Sequence, residues 1–199
     1  CNAKCSIKRR RRRTLKMKKS IKEKALKQLL WVGIVSISMF FAGLTSAFIV
    51  RKAEGNWTEF ILPDWFIAST AVIILSSLLL IFVKIRLRKG KSIFNLLFTT
   101  LVLGIIFSYF QFEGWGQLTN QGIYLTGEGS NVAGSFLYVL TLSHLVHLAG
   151  GLIALVFSSV KSKLNLYSID NCLGLDLTIN YWHFLTVLWL YLFIFLKFL

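Results

Sequence analysis

Five apolar runs, at residues 29 to 50, 65 to 84, 93 to 112, 134 to 160 and 180 to 199, set the terms for any fold of this chain. Each is long enough to cross about 30 Å of hydrocarbon as an α-helix. Within hydrocarbon no water is available to the backbone, so each run must satisfy its own amides. The expected fold class is therefore an all-α, polytopic membrane bundle of five transmembrane helices. Composition agrees, with 55% hydrophobic and 15% aromatic residues against 16% charged, a balance unlike that of a soluble domain of 199 residues. The connecting segments, Arg51 to Asp64, Lys84 to Lys91, Glu113 to Ala133 and Lys161 to Thr178, are too short for a soluble domain between spans.

The net charge of +15 resembles that of a nucleic-acid binder, but thirteen of the 23 Lys and Arg residues precede residue 28 and the apolar body is nearly neutral. Nucleic acid is accordingly not an expected partner. Counted on alternate sides, Lys and Arg number thirteen, five and two in the N-terminus, second loop and fourth loop. The first loop, third loop and C-terminus hold two, none and one. By the positive-inside rule this predicts a cytoplasmic N-terminus and an outward C-terminus in an inner membrane. Residues 1 to 28 then form a basic cytoplasmic segment and 29 to 199 the membrane domain. Residues 1 to 16, with Arg9 through Arg13, are a low-complexity run. Three readings compete for it: an extension before Met17 as the initiator, a polybasic arm on anionic lipid, or a tail lipidated at Cys1. Cys1, Cys5 and Cys172 have no CxxC spacing and suggest neither metal nor redox work.

Polar groups inside a span are costly unless they find partners, and they mark bundle interiors or functional sites. The fourth run holds Thr141, Ser143, His144, His147, Gly150 and Gly151. The two histidines, three apart, are expected on one helical face, with Gly151 four beyond His147 letting a neighbour approach. The fifth run opens Asn180, Tyr181, Trp182 and His183, where Trp182 is expected as an interface anchor beside Trp31, Trp57, Trp65 and Trp115 at other boundaries. Ser69, Thr70, Ser76 and Ser77 are expected to bond back to their own helix or to a neighbour. Glu113 ends the third run beside Gln111 and Trp115. The histidines read as structural hydrogen-bonding groups, the competing reading being haem or metal ligands. Against that stands the lack of an accompanying carboxylate within the hydrocarbon. No nucleophile with its base and no phosphate loop can be found, so the chain alone is expected to be catalytically inert.

Taken together, these segments resemble subunit III of the haem-copper cytochrome c oxidases in its short five-helix bacterial form. Residues 39 to 51, ending with the aromatic Phe48 and Arg51, are similar to the family's first shared helix. Leu62 and Pro63 with Ser69, Thr70, Ser76 and Ser77 resemble its next, and Leu103, Gly104, Phe107, Gln111, Glu113 and Trp115 its third. Thr141, His144, His147 and Gly151 fit its two-histidine helix, and Tyr181 to Phe184 with Val187 and Trp189 its last. Three positions depart from the pattern: Ile37 stands where the family has a membrane glutamate, Thr186 where an acidic residue is common, and Leu142 where a glycine usually follows the threonine.

The resemblance implies a non-redox accessory subunit of a respiratory terminal oxidase, whose complex passes electrons from cytochrome c to oxygen and pumps protons. The implied partners are the catalytic subunit I, other oxidase subunits and phospholipid, with haems and copper in the partner and no cofactor here. It implies structural or lipid-binding roles for His144, His147, His183, Trp182 and Glu113. A subunit III-like component of a quinol oxidase or nitric oxide reductase is the alternative, and a small permease or haem-binding membrane protein the rival outside the family.

Overall fold

The computed structural model describes residues 2–53, 63–89, 91–123, 132–164 and 172–198, apart from the side chains of residues 2–16, 19 and 88. Five helices run in chain order: α1 (Asn2–Ala53), α2 (Asp64–Arg88), α3 (Phe94–Asn120), α4 (Val132–Lys163) and α5 (Leu173–Phe198). Each contains a stretch long and apolar enough to cross a membrane. The chain divides into two units, Cys1–Ile37 and Ser38–Leu199. The first is the N-terminal part of α1, where Lys18, Lys22, Lys24 and Lys27 are exposed.

Several helices run past the expected ends. α3 continues through Glu113 to Asn120, and α5 begins at Leu173, before the apolar run at 180. Leaving hydrocarbon does not oblige a helix to stop, since water serves its end groups as well as an extra turn does. Local chemistry sets the actual ends. Pro63 caps α2 at φ −57°, where its missing N–H would have had no helical partner. α3 closes at Gly122, with φ 79°. There Gly122 donates to the Thr119 carbonyl at 3.0 Å and Ile123 to that of Leu118 at 3.0 Å, the paired bonds of a Schellman cap.

Within the second unit, α2, α3, α4 and α5 form a ring in which each helix packs on two neighbours, α2 on α3, α3 on α4, α4 on α5, and α5 back on α2. The stretch of α1 after Ile37 joins through side chains. Phe41, Thr45 and Phe48, all buried, fall on one stripe. Phe41 meets His147 edge-on at 5.7 Å. Phe48 meets Phe136 at 5.9 Å and Phe195 at 5.1 Å, and the Thr45 and Tyr191 hydroxyls are 2.9 Å apart. The outward faces carry large apolar side chains such as Ile67, Phe82, Ile105, Val146 and Phe157. A hydrocarbon surround suits them, and packing with interhelical hydrogen bonds must then supply the cohesion.

Candidate functional site

The interior of the α2–α5 ring is organised by two tryptophans seven residues apart on α5. Trp182 is fully enclosed. Its Nε1–H donates to Ser76 Oγ of α2 at 3.0 Å. Its ring fills the space that side chains at Gly104 of α3 and Gly151 of α4 would otherwise occupy. One residue therefore touches all three other helices. Trp189 repeats the arrangement two turns on. Its Nε1–H donates to Thr70 Oγ1 of α2 at 2.9 Å, and its ring meets Phe107 of α3 and His144 of α4, each at 5.1 Å.

The hydroxyls that accept these indoles serve two helices at once, for Ser76 and Thr70 donate in turn to the Ile73 and Phe66 carbonyls of α2, both at 2.7 Å. Both anticipated uses of these side chains thus occur together. α2 and α5 run antiparallel, and their contacts recur about every two turns: Thr70 with Trp189, Ser77 with His183, and Lys84 with Asp176. His183 Nδ1 lies 2.6 Å from Ser77 Oγ, and Lys84 Nζ lies 3.2 Å from Asp176 Oδ1. Neighbouring seams follow the same chemistry. Gln111 of α3 donates to Ser69 of α2 at 2.9 Å, Trp115 of α3 to Thr141 of α4 at 3.1 Å, and Ser158 of α4 pairs with Thr178 of α5 at 3.1 Å.

The residues expected to matter are thereby dispersed among different surroundings. Trp182 is no interface anchor, because its indole is enclosed by three helices and its N–H is used inside. His144 and His147 do not share a face. His144 looks into the core with Leu148, Gly151 and Leu155, all buried. His147 turns towards Phe40 and Phe41 of α1, and its Nδ1 bonds the Ser143 carbonyl of its own helix at 2.7 Å. A three-residue step leaves about 60° between two side chains, enough to divide them between a core and a seam. Gly151 consequently belongs with His144 and admits Trp182. Glu113 is half-buried in the last turns of α3. Trp57 lies outside the described residues.

The sequence reading gave Trp189, Gln111 and Tyr181 no structural role, although Tyr181 donates to the His147 carbonyl at 3.1 Å. The available signal was the shared step of seven between the hydroxyl pairs of α2 and the tryptophans of α5. Among the described residues no group of three or more His, Cys, Asp or Glu side chains gathers as a metal ligand set. What the arrangement does physically is lock four helices in one register through a polar interior.

Five long apolar helices with such an interior define a multi-pass helical membrane protein. Comparison with known proteins adds the family. The description "Cytochrome c oxidase subunit III" matches residues 61–199. The chain is 32% identical over 174 residues to "Probable cytochrome c oxidase subunit 3" of Nocardia farcinica, covering 83% of this chain and 82% of the relative. It is 30% identical over 171 residues to the protein of that name in Mycobacterium bovis, covering 81% and 82%. It is 25% identical over 173 residues to "Probable quinol oxidase subunit 3" of Staphylococcus saprophyticus, covering 82% and 83%. The chain belongs to the cytochrome c oxidase subunit III family, whose members are subunits of a multi-subunit oxidoreductase.

Proposed function

We propose that the chain is a non-redox accessory subunit of a respiratory haem-copper terminal oxidase in a bacterial inner membrane, packing on and stabilising the catalytic subunit I. The observation that carries this reading is the family match over residues 61–199, the stretch that forms α2 to α5. The polar interior supports it. Tryptophans and hydroxyls placed between helices make a stiff scaffold, which suits a subunit that steadies another. Electron transfer from cytochrome c to oxygen, and the proton pumping coupled to it, then belong to the haems and copper of the partner.

In this reading residues 1 to 28 are a basic cytoplasmic segment, residues 29 to 199 the membrane domain, and the C-terminus faces outward, as the Lys and Arg distribution favours. His144, His183 and Trp182 hold the ring, and His147 holds the seam with α1. Glu113, beside Trp115 near the end of α3, is the candidate contact for a phospholipid headgroup. With Ile37 where the family resemblance leads to an expected carboxylate, the subunit supports and shields its partner without moving protons through that position. The Staphylococcus relative favours one second reading, the same role beside a quinol oxidase.

Deleting the chain from its host tests the proposal. The haem spectrum of the catalytic subunit is expected to persist in membranes, while the amount of stable complex and its endurance during turnover fall. Loss of the chain with oxidase assembly and endurance unchanged would overturn it. Oxidation of cytochrome c compared with quinol by the intact complex separates the two readings.

A further inference from the structure

Two residues on neighbouring helices carry buried polar atoms that no group among the described residues meets. Among the described residues, both ring nitrogens of His144 and Oε1 of Gln111 lack a hydrogen-bond partner, although His144 is 0% and Gln111 1% exposed. A neutral imidazole presents one N–H donor and one bare acceptor nitrogen. An amide oxygen only accepts. Leaving such a group dry and unpaired is costly, because the hydrogen bond it made with water in the unfolded chain is not replaced. Ser159 Oγ, also without a partner, lies about 22 Å further along α4 and belongs to another level.

His144 and Gln111 occupy one level of the antiparallel α3–α4 pair. One turn before Gln111, Phe107 meets the His144 ring at 6.0 Å. One turn after it, Trp115 bonds Thr141, three residues before His144, at 3.1 Å. The amide orientation is also fixed. Ser69 spends its only hydroxyl proton on the Phe66 carbonyl at 2.9 Å. It can therefore only accept from Gln111, so the amide NH₂ takes the contact at 2.9 Å and the oxygen is left over. The His144 ring is set between Phe107 and Trp189. One donor and one acceptor on adjacent helices at the same depth are suited to partner a bridging water.

We propose that His144 and Gln111 bind one internal water molecule, which accepts from the imidazole N–H and donates to the amide oxygen. The water completes a chain running from the Phe66 carbonyl through Ser69 and Gln111 to His144, and so ties α2, α3 and α4 together. The site does not depend on which oxidase the subunit serves.

The full chain in lipid bilayers, labelled with ¹⁵N-histidine, provides the test. It has three histidines, assigned by His147→Asn and His183→Asn, and proton transfer from water to each imidazole is measured by solid-state NMR. The expected result is one protonated, hydrogen-bonded His144 nitrogen that receives magnetisation from water in the native chain. In Gln111→Leu that transfer is expected to fall at least twofold. No transfer to His144 in the native chain, or transfer unchanged in Gln111→Leu, overturns the proposal. Should Gln111→Leu fail to fold, density of the native complex at a resolution showing internal waters decides. A peak bonded to both groups upholds the site, and empty density between them overturns it.

Discussion

Trp182 stands so close to Gly104 that a β-carbon on the glycine would lie 2.7 Å from the indole Cη2 and 2.8 Å from Leu152 Cδ2. The glycine is required for space and not for backbone freedom, because it sits within a regular helix. Gly104→Ala is therefore expected to push α3 away from α5 and destabilise the subunit by about 1–3 kcal/mol, the usual cost of overpacking. Gly43→Ala, whose added carbon meets nothing within 4 Å, serves as the control. Thermal unfolding in detergent should show a lowered midpoint for the first and little change for the second.

The bond from Trp182 to Ser76 can be weighed by a double-mutant cycle. Trp182→Phe keeps most of the ring and removes the N–H, while Ser76→Ala removes the acceptor. Hydrogen bonds between membrane helices average about 0.6 kcal/mol and reach about 1.7. Because both partners here are fully enclosed, a coupling in the upper half of that range is expected. Additive single effects would show that the contact contributes shape and not bonding.

His147 joins α4 to the aromatic stripe of α1. His147→Ala is expected to lower the yield of assembled complex several-fold, while turnover per remaining complex changes by less than about twofold. Quantitative haem spectra beside oxygen-consumption rates separate the two. Normal assembly with greatly reduced turnover would move His147 from packing to chemistry.

Cys172 lies just before α5, with Sγ 3.7 Å from Asp176 Oδ2. Burial first, then the negative charge and hydrogen bond of Asp176, push its thiol pKa up. The thiolate fraction at neutral pH is therefore smaller than that of an ordinary cysteine. In a Cys1→Ser, Cys5→Ser background, alkylation at pH 7 should be slow and should accelerate as pH rises. Asp176→Asn removes the charge that disfavours the thiolate, so it should shift that acceleration to lower pH. An unchanged profile would separate the thiol from Asp176.

The number of spans was legible because hydrocarbon imposes a length on every helix, and five apolar runs became five helices. Their ends were less legible. Nothing in hydropathy says that Glu113 to Asn120 stays helical until Gly122, since that depends on a cap and not on lipid. Side-chain direction was the least accessible. Tryptophan suits both a headgroup belt and a core with a hydroxyl in reach, and only the glycines facing Trp182 across two other helices decide for the core. The histidines were misplaced for a related reason, because a spacing of three is close enough to suggest a shared face and wide enough to split it. The seven-residue step shared by α2 and α5 was present in the sequence, yet it acquires meaning only once those helices are known to be antiparallel neighbours.

The central claim is that this chain is a redox-free partner of a haem-copper catalytic subunit. Affinity purification of the tagged chain from its own membranes in mild detergent, with haem and subunits quantified together, tests it most directly. The account predicts co-purification of a haem-copper subunit I in about one-to-one ratio, and no Soret band from the chain once that partner is removed. A chain that migrates alone in several mild detergents, or that keeps stoichiometric haem by itself, would contradict it.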